Sequence, residues 1–203
     1  MTTHAPHIIG LGGTGSPNSS SERILRHALA ACAANGATTQ CFDGIALDMP
    51  MYAYGIERTE KALALIAALR KADGVIICSP GYHGTVSGLI KNALDYVEDM
   101  AKDDNVYFEG RAVGLIAVAA GWQATGTTLA TLRSITHALR GWPTPMAVAI
   151  NTAQQVFGED KGISDKGVIS QLSILAQQVV SFAQMKALHE LAKVAGDATH
   201  AAA

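Results

Sequence analysis

Short apolar runs alternate along the chain with longer segments whose apolar positions recur every three or four residues. Residues 8–11, 75–78, 112–119 and 146–150 are compact and apolar and read as strands, and Thr38-Thr39-Gln40-Cys41-Phe42 reads as a further one. The run at 112–119 is almost wholly apolar, as a strand covered on both faces should be. Helical periodicity marks the stretch from Glu22 to about Ala34, with Ile24, Leu25, Ala28, Leu29 and Cys32 on one face. Further helices are predicted over 60–72, with Leu63, Leu65, Ile66 and Leu69 apolar, over 89–97, over 127–139 and over 167–191. Ser19 or Ser20 suits the N-cap of the first helix, and Asn35-Gly36 its end. Pro143 and Pro145 stop the fourth, since proline cannot continue a helix. Segments 44–58, 103–110 and 151–165 read as irregular. Strand and helix alternate throughout, which predicts an α/β fold: a five-stranded parallel sheet with helices on both faces. No repeat or linker divides the 203 residues, so one domain is expected over 1–203, with flexible ends at 1–6 and 197–203.

Composition narrows the partners. Apolar residues make up 49% of the chain and charged residues 16%, an excess that a subunit interface would bury. A formal charge of -2 supplies no basic field for nucleic acid. No apolar run reaches the length of a membrane span, and residues 1–7 lack the basic and apolar regions of a signal peptide. The three cysteines, Cys32, Cys41 and Cys78, are odd in number and show no CxxC spacing, which argues against metal clusters and disulfides. A reduced, cytoplasmic protein is the expectation.

The chemistry gathers in three stretches, each after an expected strand. The first, Gly12 to Ser21, has neither a Walker lysine nor a GxGxxG register. It is rich in hydroxyls instead: Thr14, Ser16, Ser19, Ser20 and Ser21. Hydroxyls and free N–H groups at a helix start suit a phosphate dianion without a metal, although a serine-rich turn with an N-cap has the same look. The second, Ser79 to Gly88, carries Pro80, Gly81, Tyr82, His83 and Gly84. Its backbone suits the rim of a planar ligand. His83 invites acid–base work but has no carboxylate nearby in sequence, and a loop or interface histidine is the plainer reading. The third, Ala120 to Gly126, offers Gly121, Trp122 and Gln123, with Trp122 facing a ligand or an interface. In an open parallel sheet the loops after these strands share one carboxyl edge, where ligands bind.

Other residues carry bland readings beside sharper ones. Lys91 and Asp95 are one helical turn apart and suit a surface pair. His137 reads as a helix or interface residue. Met49, Met51, Tyr52 and Tyr54 either wall a ligand or pack. No triad, carboxylate pair or metal cluster emerges, so no catalytic side chain is assigned.

Taken together, Gly13-Thr14-Gly15-Ser16-Pro17-Asn18-Ser19-Ser20-Ser21-Glu22-Arg23 and Ser79-Pro80-Gly81-Tyr82-His83-Gly84-Thr85-Val86-Ser87-Gly88-Leu89-Ile90-Lys91-Asn92-Ala93-Leu94-Asp95-Tyr96 resemble the NAD(P)H-dependent FMN reductase family. The resemblance runs in order over about 8–150. It implies a flavodoxin-like three-layer fold with strand order 2-1-3-4-5. It implies FMN, with its phosphate on Thr14, Ser19, Ser20 and Ser21; Ser16 stands where many members carry an arginine. Pro80 to Gly84 would run beside the isoalloxazine ring, and Ala120 to Gly126 would border its other side. The implied activity is hydride transfer from NADPH or NADH to FMN in a homodimer or homotetramer. The expected use is supply of reduced flavin to a partner monooxygenase. The alternatives are reduction of a quinone, azo dye or metal oxyanion by bound FMN, and a flavodoxin-type electron carrier. No basic residue for a 2′-phosphate is singled out among Arg23, Arg26 and Arg58.

Overall fold

The computed structural model describes residues 5–200, with side chains through residue 193. Five parallel strands form one sheet: β1 (His7–Gly12), β2 (Thr38–Phe42), β3 (Gly74–Tyr82), β5 (Ala112–Ala119) and β6 (Trp142–Asn151). A two-residue strand, β4 (Thr85–Val86), turns back antiparallel on the end of β3. The sheet order is β2-β1-β3-β5-β6. With β4 set aside this is the expected 2-1-3-4-5 order of a flavodoxin-like sheet. The helices are α1 (Ser20–Ala34), α2 (Glu60–Lys71), α3 (Gly88–Asp95), α4 (Trp122–Ala138) and α5 (Lys166–His200).

Two cores follow from the period of two along each strand. Ile9, Leu11, Val75, Ile77, Val113 and Leu115 point to one face, under α2, α3 and Leu132 of α4. Their neighbours Ile8, Ile76, Cys78, Ile116 and Val118 point to the other, under α1 and α5. The inner strands β1, β3 and β5 are therefore apolar on both sides, the cause of their continuous apolar runs, while the edge strand β2 is largely exposed.

The elements depart from the sequence pattern in four places. The third strand does not stop at Cys78; it runs on to Tyr82, because β5 keeps pairing it as far as Pro80↔Val118. The expected loop at Trp122 to Gly126 is the start of α4. Gly121 is its N-cap without any side-chain bond, so no capping residue announced it. The fourth helix ends at Ala138 as expected, but the strand after it starts at Trp142 rather than Met146, so 142–145 belong to β6. It lies at the sheet edge, where proline is tolerated because one side of the ladder is unpaired. Leu63 is 55% exposed: α2 buries Ala62, Leu65, Ile66, Ala68 and Leu69, and that stripe leaves Leu63 facing out.

Of the expected flexible ends, residues 1–4 and 201–203 lie outside the described residues. Pro6 is buried, its carbonyl accepts the Thr38 N–H at 2.8 Å, and α5 continues to His200. Lys91 and Asp95 pair at 2.6 Å on the exposed face of α3, worth a few tenths of a kcal/mol. His137 is exposed in the last turn of α4. Met49 is buried, whereas Met51 and Tyr54 are exposed. Among the described residues no helix is long and apolar enough to cross a membrane.

Candidate functional site

The carboxyl ends of β1, β3, β5 and β6 meet at one edge of the sheet. The end of β3 divides that edge into two clefts. Its residues alternate: Pro80 and Tyr82 face one cleft, Gly81 and His83 the other. This is the strand period of two, and it explains why one short sequence serves two surfaces.

The first cleft, about 260 Å³, is lined by Thr14, Ser19, Ser20, Ser21, Pro80, Tyr82, Val118 and Thr152. Four of its eight residues are the serines and threonine expected of the first stretch, and Thr152 adds a fifth aliphatic hydroxyl. Ser19 is the N-cap of α1, its Oγ accepting the Glu22 N–H at 3.3 Å. The first-turn N–H groups have no helical carbonyl to bond and carry the positive end of the helix dipole. No carboxylate lines this cleft. Glu22, the acid of the first turn, is buried and committed. Its Oε2 accepts the Asn18 N–H at 2.9 Å, and its Oε1 accepts Arg26 Nε–H at 3.0 Å. Arg26 also reaches Asp43 at 2.8 Å. A charge that would repel an anion is thus held elsewhere. Hydroxyl donors, a helix N-terminus and a lining free of carboxylates fit the phosphate of FMN.

The second cleft, about 580 Å³, is lined by Gly81, His83, Gly84, Ala119, Ala120, Gly121, Gln123, Ala124 and Thr127. Apart from His83 and Gln123 the residues are small, so much of the wall is backbone, as a flat ring system requires. One wall is a tight hairpin. Gly81 pairs with Val86 and Tyr82 with Thr85, leaving His83-Gly84 as a two-residue turn with φ of 50° and 86°. Both angles lie in the left-handed region, the signature of a type I′ turn. Gly84 takes this conformation freely; His83 is held there by the strand pairs on either side.

Three expected residues line neither cleft. Ser16 is exposed, its N–H donating to Thr14 Oγ1 at 3.0 Å in a local turn. Trp122 lines a separate small cleft with Asn151, Gln154 and Gln171. Gly126 is exposed on α4. Conversely, Val118 and Thr152 line the first cleft although the sequence reading passed over them; both sit at the carboxyl ends of strands, the place the open-sheet rule points to. Gly44 was also missed. It packs so closely under the first stretch that an added Cβ would lie 1.6 Å from the Thr14 carbonyl oxygen.

The side chains offer little chemistry of their own. Burial pushes the Cys32 thiol up to about 12 and raises those of Cys78 and Cys41, so all three stay protonated at neutral pH. Arg58, which lies near neither cleft, forks onto Asp99 at 2.7 and 2.8 Å and stacks over Tyr52, pinning the irregular segment 44–58. The arrangement suits a bound cofactor that brings the reactivity.

The family described as NADPH-dependent FMN reductase matches residues 6–155. An FMN-dependent NADPH-azoreductase of Staphylococcus aureus is 32% identical over 125 residues, covering 61% of this chain and 59% of the relative. The chain thus matches about three fifths of the length of such curated relatives. Among solved structures, FerB, a flavoenzyme NAD(P)H:(acceptor) oxidoreductase from Paracoccus denitrificans, superimposes with a TM-score of 0.71 at 16% identity, covering 89% of this chain and 98% of that one. The apo form of the NADH:FMN oxidoreductase EMOB gives 0.67 at 20% identity, covering 88% and 89%. These two likenesses establish the fold.

Proposed function

From the premise that the chain belongs to the NADPH-dependent FMN reductase family, we propose that it is a flavin oxidoreductase. In this reading it binds FMN across the two clefts, takes electrons from NADPH or NADH, and passes them to an azo or quinone acceptor. The observation that carries this is the division of the sheet edge by β3 into a hydroxyl cleft without carboxylates and a wider cleft walled mainly by small residues. The phosphate belongs in the first and the ring in the second. When bound, FMN supplies the hydride acceptance and delivery that no side chain here can supply. The protein's part is binding and orientation. Ser19, Ser20, Ser21, Thr14 and Thr152 donate to the phosphate, while Gly81, Gly84 and Gly121 let the ring approach backbone. His83 holds the turn at the rim, and no proton transfer is assigned to it.

The acceptor is chosen by similarity. The curated relatives matched are named FMN-dependent NADPH-azoreductases, which favours reduction of an acceptor by bound FMN over supply of free reduced flavin to a monooxygenase. Homo-oligomerisation accords with the exposed Met51, Tyr54 and Ile56.

The test is NADPH oxidation with an azo dye or a quinone as acceptor, titrated with FMN. Full activity at about one FMN per chain supports the proposal. A rate that keeps rising with a large excess of FMN assigns the protein to flavin release instead. Protein that neither binds FMN nor oxidises NADPH in its presence ends the enzyme reading. Within the site, Ser20→Ala is expected to weaken FMN about tenfold, the loss of one hydrogen bond to a charged group. It should leave the unfolding midpoint unchanged, since Ser20 caps nothing. Ser19→Ala is expected to lose affinity and, as the N-cap, about 1 kcal/mol of stability as well. Unchanged FMN affinity in both variants would remove the phosphate from this cleft.

A further inference from the structure

A larger cleft, about 820 Å³, opens beside the hydroxyl cleft and takes no part in the scheme above. It lies between the outer face of α1 and the turn at 157–163, where Phe157 and Ile163 pair in an antiparallel bridge. Its lining includes Asn18, Arg23, Arg26, His27, Phe157 and Lys161. The two clefts are neighbours through both walls. Ser19 to Ser21 and Arg23 belong to successive turns of α1, and Thr152 and Phe157 to the same connection between β6 and α5. A helix rises about 1.5 Å per residue, so Arg23 and His27 stand roughly 6 and 12 Å beyond Ser19 along the axis.

The cations here are not equivalent. Arg26 is neutralised by Glu22 and Asp43. Arg58, distant from this cleft, is neutralised by Asp99. Arg23 has no carboxylate partner among the described residues. One of its terminal nitrogens donates to the Lys161 carbonyl at 2.7 Å, and its guanidinium lies 3.8 Å over the Phe157 ring. Its Nε is buried and, among the described residues, finds no acceptor. A buried donor left unpaired is costly, and an anion that drew the guanidinium outward would relieve it. Lys161 is exposed and held at a φ of 63°; among the described residues its ammonium pairs with no carboxylate. Asp160 is the acid of the lining, and its Oδ1 is occupied by the Gly162 N–H at 2.9 Å.

We propose that this cleft is a subsite for the phosphorylated adenosine end of a dinucleotide, with Arg23 and Lys161 taking the phosphate and Phe157 lying beside the base. An aromatic ring under one cation, with a second cation lining the same cleft and neither holding a carboxylate partner among the described residues, about one helical turn from the hydroxyl cleft, matches that chemistry. The ligand comes from one of two sources: the 2′-phosphate end of NADPH, or the adenylate half of a dinucleotide flavin. The assignment of source rests on the flavin reading above; the binding itself does not.

The experiment is calorimetric titration of the FMN-saturated protein with 2′,5′-ADP and, separately, with 5′-ADP. Binding of either in the millimolar range or tighter is expected. Preference for 2′,5′-ADP names the nicotinamide donor and preference for 5′-ADP the flavin dinucleotide. Lys161→Glu and Arg23→Gln are each expected to weaken it at least tenfold. Lys161 holds the fold through its backbone, its carbonyl accepting from Arg23 and its N–H donating to the Gly158 carbonyl, so Lys161→Glu keeps the test readable if Arg23→Gln loosens the turn. Absence of binding with both nucleotides, or an affinity unchanged in Lys161→Glu, overturns the proposal. Should the protein fail to take up FMN, the same titration on the flavin-free chain still reads this cleft, so the two failures are distinct.

Discussion

Gly44→Ala is expected to displace the hydroxyl loop and to weaken FMN by about a hundredfold, the equivalent of roughly 3 kcal/mol. The new Cβ would fall 1.6 Å from the carbonyl oxygen of Thr14 and 2.5 Å from its carbonyl carbon. Both are backbone atoms, so no rotamer change relieves the clash, and one of the two segments must move. The segment bearing Gly44 is tied at Asp43, which accepts from Arg26 and from the N–H groups of Ile45 and Ala46. The first stretch is the freer of the two, so Thr14 is expected to shift away from the cleft it lines. Overpacking of this kind costs about 1–3 kcal/mol of stability and occasionally more. Gly15→Ala is the control, because no atom lies within 4 Å of its Cβ position and its φ is not in the left-handed region. The measurements are FMN dissociation by fluorescence and the urea midpoint of each variant. A folded Gly44→Ala protein with the FMN affinity of the unmutated chain would show that Thr14 and its neighbours do not form the phosphate cradle.

That Gly44 escaped the sequence reading shows where such reading stops. The bounds of β2 and β5 were legible to the residue; β5, covered on both faces, declares itself as an unbroken apolar run, whereas β2 is a polar edge strand set off by Asn35-Gly36 before it. Sheet order was legible only through the resemblance, since alternation of strand and helix fixes no order. The end of β3 was hidden. Pro80 and Gly81 are turn formers in general, but here partner strands on both sides of the hairpin keep them extended, and the turn itself shrinks to His83-Gly84. The start of α4 was hidden for the opposite reason: Gly121 caps without a side chain, and Gly126 inside the helix mimics a loop.

The site divides the same way. Thr14, Ser19, Ser20, Ser21, Pro80, Tyr82, Gly81, His83, Gly84, Ala120, Gly121 and Gln123 lie where strand ends meet, and a strand-end rule places them at one edge. It does not show that they fall into two clefts, because that depends on β3 remaining a strand through Tyr82 and alternating its sides. Gly44 and the cleft around Arg23 depend on approaches between segments remote in sequence, and no local pattern carries those. The three arginines weighed for a phosphate looked alike in sequence; only the positions of Glu22, Asp43 and Asp99 separate them.

Gly81→Val is expected to reduce NADPH oxidation at least tenfold while leaving the hydroxyl cleft in place. A Cβ at Gly81 would meet Thr128 Oγ1 at 2.8 Å, Ala119 Cβ at 3.2 Å and the Ala124 carbonyl at 3.3 Å. Thr128 is fully buried, and its hydroxyl donates to the Thr85 carbonyl at 3.3 Å, so it has little room to give. Valine itself suits a strand, and the φ of Gly81 is not in the left-handed region, so the backbone accepts the change. The effect is therefore steric, and it acts between β3 and the first turns of α4. Relief requires those turns to move outward or the end of β3 to move into the second cleft. Either motion alters the space in which the ring and a nicotinamide must meet, and geometry errors of about 1 Å cost on the order of a hundredfold in rate. Pro80 and Tyr82 project to the other side of the strand, so FMN affinity, dominated by the phosphate, should fall by less than activity does. The check is a paired measurement of FMN dissociation and of azo-dye reduction at saturating FMN. A Gly81→Val protein that reduces the dye at the unmutated rate places the ring somewhere other than along β3, and with it the second cleft loses its role.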